Sequence, residues 1–85
     1  MTAVELTIVG KPDCHLCDVA SEVIERVRGE LQPAVEVTVQ KRSILDDPVL
    51  HERYKELIPV VLVNGTEHAH WRVDPAALRA AILEA

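Results

Sequence analysis

Cys14 and Cys17 are the two cysteines of this 85-residue chain, and two residues separate them in Lys11-Pro12-Asp13-Cys14-His15-Leu16-Cys17. Two thiols at this spacing can exchange with a disulfide, or they can hold a soft metal ion. The pair falls between a strand-like run, Val4 to Val9, and a strongly amphipathic helical pattern. A helix N-terminus carries unpaired N–H groups and about half a positive charge, which favours a thiolate over a thiol. The first sulfur could then attack a disulfide, and the second lies close enough to displace the product. The alternative, a metal or iron–sulfur binding or carrier protein that uses the same two thiolates, stays open but is thinner. A zinc site needs about four ligands, His15 is constrained by the helix start, and His51, His68 and His70 are distant in sequence. Such a metal would sit between two subunits or bind two-coordinate as Cu(I). A third reading is an adaptor whose two thiols are unreactive.

The elements that must position the pair follow from periodicity. Val4–Val9 reads as a short, mostly buried strand. From Leu16 the apolar residues fall at 16, 19, 20, 23, 24 and 27, a 3.6-residue stripe. Asp13 is the expected N-cap of this helix and Gly29 its expected stop. After the breaker Pro33, Val35, Val37 and Val39 alternate with polar residues, which predicts a strand with one buried face. Asp46-Asp47-Pro48 opens a second helix expected over Pro48 to Leu57. Val60–Val63 is a compact buried strand ended by Asn64-Gly65, a hairpin signal. A return strand is expected over Glu67 to Val73, with Trp71 packed beneath a final helix opened by Asp74-Pro75. The order is β-α-β-α-β-β-α: one α/β domain over residues 1–85, with a mixed four-stranded sheet flanked by helices. Its opening strand–helix–strand unit implies a right-handed parallel crossover. Cys14 then stands at the carboxyl end of the first strand, where open α/β sheets place their sites.

Bulk properties bound the function. A chain of this size buries only about 60–65% of its unfolded surface, so it folds with little margin. There is no Phe, one Trp and one Tyr, so the core must be aliphatic. The net charge of −5, with no Lys/Arg-rich run, argues against a nucleic-acid partner. No apolar run approaches the roughly 20 residues of a membrane span. The start enters a strand without a basic n-region or a sustained apolar segment. Two cysteines this close cannot staple a secreted mini-fold. The expectation is a soluble, cytoplasmic, monomeric protein with no bound cofactor and neither a nucleic-acid nor a membrane partner.

The element order, with Cys-x-x-Cys after the first strand and a Pro opening the third, resembles the thioredoxin fold. Within it the chain looks most like a glutaredoxin over nearly its whole length. Lys11 stands three residues before Cys14, as a Lys usually does in that family; Pro59 matches the family's cis-proline, and Asn64-Gly65 follows at the family's spacing. The resemblance implies a thiol–disulfide oxidoreductase acting in electron transport, with Cys14 as nucleophile and Cys17 as resolving thiol. It implies substrate contacts from Lys11 and from the backbone at Ile58 and Pro59. Both polar backbone groups of Ile58 would face the substrate beside Cys14. The partner would be a disulfide-containing protein or a small thiol, with glutathione or another low-molecular-weight thiol as co-substrate. His15, when protonated, would favour the thiolate and make the dithiol a better oxidant. Arg42, after the second strand, is a further candidate for a substrate carboxylate. The chain departs from the family at His15-Leu16, where Pro and an aromatic are usual, at Leu57 in place of Thr, and at Ala69-His70 in place of Gly-Gly. These departures bring it closer to the short glutaredoxin-like proteins.

Overall fold

In the structure, a computed structural model that describes residues 2–85, seven elements follow in the expected order. They are β1 (Thr2–Gly10), α1 (His15–Leu31), β2 (Val35–Ser43), α2 (Pro48–Tyr54), β3 (Val60–Val63), β4 (Thr66–His70) and α3 (Pro75–Glu84). The strands form one sheet in the order β2-β1-β3-β4. β1 runs parallel to β2, while β3 is antiparallel to both β1 and β4. The sheet is therefore mixed, as the crossover and the hairpin require.

Alternation along β1 divides the core. Val4, Leu6 and Ile8 pack with Ala20, Ile24 and Val27 of α1, with Val35, Val37, Val61 and Val63 of the neighbouring strands, and with Leu78 and Ile82 of α3. Val9 points to the other face and meets Val60, Ile44 and Tyr54, flanked by Leu50 of α2. Successive side chains of a strand face opposite ways, so one strand serves both layers. Arg79 of α3 holds Glu30 of α1 with both carboxylate oxygens, at 2.9 and 2.6 Å. Arg28 reaches from α1 to the edge strand β2, donating from Nε to the Val37 carbonyl at 2.8 Å.

The element ends differ from expectation in instructive ways. Asp13 is not the cap of α1: it sits in left-handed backbone at φ 59°, and Cys14 takes the N-cap with extended backbone. Asp tolerates the left-handed region better than most residues. Gly29 does not stop α1 either. Nothing lies within 4 Å of where its Cβ would be, and the helix runs on to place Leu31 against the core before Gln32 caps it. α2 ends at Tyr54 rather than Leu57, because the Tyr54 carbonyl accepts from both Leu57 and Ile58 N–H groups, at 2.8 and 3.1 Å, closing the last turn. The return strand stops at His70 rather than Val73. Its partner β3 has only four residues and begins at Val60, which pairs with His70, so the ladder runs out there.

Asn64 and Gly65 turn the hairpin with φ 50° and 84°, the pair of positive φ values that a two-residue type I′ turn needs. Asn64 also ties the turn to β1, exchanging hydrogen bonds with the backbone of Glu5 at 2.8 and 2.9 Å.

Candidate active site

β1 delivers the chain to the site and α1 receives it. After Gly10, Lys11 and Pro12 are exposed, and left-handed Asp13 turns the chain so that Cys14 enters α1 as its cap. The Cys14 Sγ accepts the Cys17 backbone N–H at 3.2 Å, and the Cys14 carbonyl accepts from Asp18 N–H at 3.1 Å. One of the orphan donors of the helix start is thus spent on sulfur. Cys14 and Cys17 are joined as a disulfide, with Cα atoms 5.2 Å apart. Their environments differ: Cys14 is half-buried and Cys17 is 8% exposed.

Gly10 is what gives Cys17 its place. A Cβ on Gly10 would stand 2.8 Å from Cys17 Sγ, closer than real Cβ contacts come. A glycine at a strand end can mark such a close approach.

The parallel register sets Ile8 beside Lys41, Val9 beside Arg42 and Gly10 beside Ser43. The ends of β1 and β2 and the first turn of α1 enclose a cavity of about 300 Å³. Its wall includes Gly10, Lys11, Cys17, Lys41 and Arg42, with Asp18 and Asp46 as its carboxylates. Sequence reasoning brought Lys11 and Arg42 to this neighbourhood but missed Gly10 and Lys41. The signal for Gly10 was a glycine closing a β-branched strand just before the cysteines. Lys41 carried no signal until the β1–β2 register was known.

Pro59 lies at the same end of the sheet, since Val9 pairs with Val60 and the chain leaves β1 there for the cysteines. The Ile58–Pro59 peptide bond is cis, as the resemblance implied, and Pro59 is fully buried. Its carbonyl accepts from Trp71 N–H at 2.9 Å. The Ile58 backbone differs from expectation: its N–H is engaged with the Tyr54 carbonyl rather than left open. His15 is exposed as the first residue of α1.

Trp71 does not pack beneath α3. It is 53% exposed, lies beyond the end of β4 in left-handed backbone at φ 65°, and donates from its indole Nε1 to the Glu56 carbonyl at 2.9 Å. With Leu16 and Val19, which are 45% and 42% exposed, it borders an apolar groove beside the first turns of α1. Among the described residues, no three His, Cys, Asp or Glu side chains gather as a metal site, and no helix is long and apolar enough to cross a membrane.

Three kinds of comparison place these features among known proteins. The family model described as Glutaredoxin-like domain (DUF836) matches residues 5–83. An uncharacterized protein of Mycobacterium tuberculosis, Rv0508, is 28% identical over 83 residues, which is 96% of this chain and 86% of the relative; the uncharacterized protein Mb0520 of Mycobacterium bovis matches equally. Among solved structures, the structural-genomics target XcR50 from X. campestris superposes with a TM-score of 0.75 at 30% identity, covering 94% of this chain and 97% of that one. A chloroplastic thioredoxin z shares the fold at TM-score 0.74 and 14% identity, over 96% of this chain and 77% of its own. The architecture is the thioredoxin fold.

Proposed function

From the premise that this chain belongs to the glutaredoxin-like domain family, we propose that it is a thiol–disulfide oxidoreductase. Cys14 would be its nucleophile and Cys17 its resolving thiol. The observation that carries the reading is the asymmetry of the pair. Cys14 caps α1 with its sulfur on a backbone N–H and is half-buried, whereas Cys17 is held one helical turn further in and is 8% exposed. A sulfur that is partly exposed and receives an N–H at a helix start is the one best kept as a thiolate and best reached by a substrate.

In the reduced protein the Cys14 thiolate attacks one sulfur of a substrate disulfide. A Cys14–substrate S–S bond forms as the substrate bond breaks, and the departing half leaves as a thiolate that takes a proton from water. Cys17, deprotonated, then attacks the Cys14 sulfur. The Cys14–Cys17 bond forms, the second half leaves as thiolate, and two electrons have passed from the dithiol to the substrate. Two equivalents of a low-molecular-weight thiol such as glutathione, or a reductase, restore the dithiol.

The substrate is a protein disulfide or a glutathione mixed disulfide. Lys11 would attract its carboxylates and Pro59 would border it. Ile58 would offer its carbonyl to the substrate backbone, since its N–H is bonded to Tyr54. His15, when protonated, would add positive charge at the thiolate.

The test is a redox titration in thiol/disulfide buffers, read by alkylation and mass. A reversible two-electron couple at about −200 to −270 mV is expected. If no intramolecular disulfide forms across that range, the reading fails.

A further inference from the structure

Trp71 sits where neither its backbone nor its bulk is favoured. Its φ is 65°, and the Arg72 N–H donates to the His70 carbonyl at 2.8 Å, closing a three-residue turn around it. The positive-φ form of the γ-turn is rare and strained, and a bulky residue in left-handed backbone is an outlier. Burial does not explain the residue either, since it is 53% exposed. Strain of this kind persists only where the surrounding structure holds it, and it gathers at functional sites.

We propose that Trp71 is a positioning residue that clamps the run Glu56 to Pro59, between α2 and β3, so that the Ile58 carbonyl alone is left for the backbone N–H of a substrate cysteine. The inference rests on the oxidoreductase reading above and adds the residue that sets the edge presented to substrate.

Both donors of Trp71 converge on this one stretch of backbone. Its backbone N–H is shared between the Leu57 and Pro59 carbonyls at 3.3 and 2.9 Å, and its indole Nε1 donates to the Glu56 carbonyl at 2.9 Å. Three of the four carbonyls from Glu56 to Pro59 are thereby occupied, and among the described residues no group donates to the Ile58 carbonyl. The Ile58 N–H is held by the Tyr54 carbonyl at 3.1 Å, so the carbonyl is what Ile58 has to offer. The His70 ring meets the indole edge to face, with centroids 4.8 Å apart and planes at 83°, and steadies it from β4. Trp71 also lines the groove with Leu16, which lies between the two cysteines. The clamp therefore joins the proline loop to the flank of the cysteine pair. Glycine would accept the backbone angle but has no ring. Phenylalanine would fill the same space but has no N–H for Glu56.

The experiment reads the first exchange alone, in Cys17→Ser, where Cys14 is trapped as a mixed disulfide. One probe is the symmetrical disulfide of N-acetylcysteine methylamide. The other is the same disulfide methylated on both cysteine nitrogens, which cannot donate there. Second-order rates are followed by mass and divided by those of each probe with free N-acetylcysteine at the same pH. Methylation should slow the reaction of Cys17→Ser about tenfold, the scale of one hydrogen bond, and should slow that of the same protein carrying Trp71→Phe by no more than about twofold. Trp71→Gly, which takes left-handed backbone freely and keeps the backbone N–H, should show the same loss of discrimination. A steric penalty from the methyl group would persist in both variants, and a merely structural role for Trp71 would lower both rates together and leave their ratio as it was. A ratio unchanged by removing the indole overturns the proposal, as does a protein indifferent to methylation while it still has the indole. If neither probe reacts with Cys14 faster than with free N-acetylcysteine, the oxidoreductase reading itself falls and takes the positioning role with it. That failure shows in the absolute rates, whereas failure of the clamp alone shows in their ratio.

Discussion

Gly10 and Cys17 meet where β1 ends and α1 begins, so closely that a single methyl group on Gly10 would stand 2.8 Å from the Cys17 sulfur and 3.3 Å from its Cβ. The contact is steric rather than conformational, because Gly10 does not use positive φ. Gly10→Ala therefore tests packing alone. In the oxidised protein the sulfur is tethered to Cys14 and cannot swing away, so the substitution should cost about 1–3 kcal/mol, as other overpacked cores do. In the reduced protein Cys17 can rotate and the loss should be smaller. If the oxidised form bears most of it, the potential rises by about 20–60 mV, at roughly 30 mV per 1.4 kcal/mol. Denaturant titrations of both redox forms and the redox titration check this; equal losses in both forms would refute it.

Gly29 offers the opposite case. It lies inside α1, with nothing within 4 Å of its Cβ position and no positive φ. Gly29→Ala should stabilise the protein by about 0.5–1 kcal/mol, since only the backbone entropy of glycine is removed. Chemical denaturation reads the gain, and a loss would mean that the chain needs glycine there for a reason the helix does not reveal.

Cys14 and Cys17 differ in exposure, and their serine variants should differ in the product they accumulate. Cys14→Ser should abolish turnover of a disulfide substrate. Cys17→Ser should retain the first exchange and accumulate a mixed disulfide on Cys14, visible by mass as a stable adduct. Full activity in both variants would remove the mechanism.

Much of this fold was legible because periodicity reports burial. The β2 alternation named Val35 and Val37 and the helical stripe named Ala20, Ile24 and Val27, and all five are buried. The stripe also named Leu16 and Val19, which are 45% and 42% exposed, while Cys17 one position along is buried. Apolar character cannot separate a core position from a groove wall where a helix meets the end of the sheet. The site was legible as chemistry, through the Cys-x-x-Cys spacing, but its surroundings were not. Lys41 reaches the cavity only because Ile8 is in register with it across a parallel ladder, a relation between residues 33 apart. Trp71 was misplaced for a similar reason. The length of β4 is set by β3, and a four-residue partner leaves position 71 outside the ladder.

Trp71 is the one tryptophan of the chain, so its placement can be read directly. With 53% of its surface exposed and its indole N–H held by the Glu56 carbonyl, its emission should be red-shifted and readily quenched by acrylamide in the folded protein. Blue-shifted emission protected from quenching would restore the packed position under α3.

Tyr54 should give the protein an alkaline limit. The residue is 4% exposed and its ring packs with Val9, Ile44 and Val60. Burial raises its phenol above the ordinary value of 10.0, and the Glu67 carboxylate raises it further by hydrogen bonding and repulsion of the phenolate; Arg53, 5.4 Å from the ring centre, offsets part of this. A raised folded-state value means that the folded protein holds its phenol proton where the unfolded chain has released it. Between the unfolded value and the higher folded one, unfolding releases a proton, so stability falls as pH rises. The contribution is complete below pH 10.0 and is lost as pH climbs through the folded value. Tyr54→Phe keeps the ring in the core and removes the titrating group, so its stability should fall less steeply with pH above 10.0 than that of the parent. Matched denaturant titrations across that range decide it. Tyr54→Phe leaves every other ionisable side chain in place, so the difference in slope belongs to Tyr54. Identical slopes would show that the phenol is as free to ionise in the folded chain as in the unfolded one.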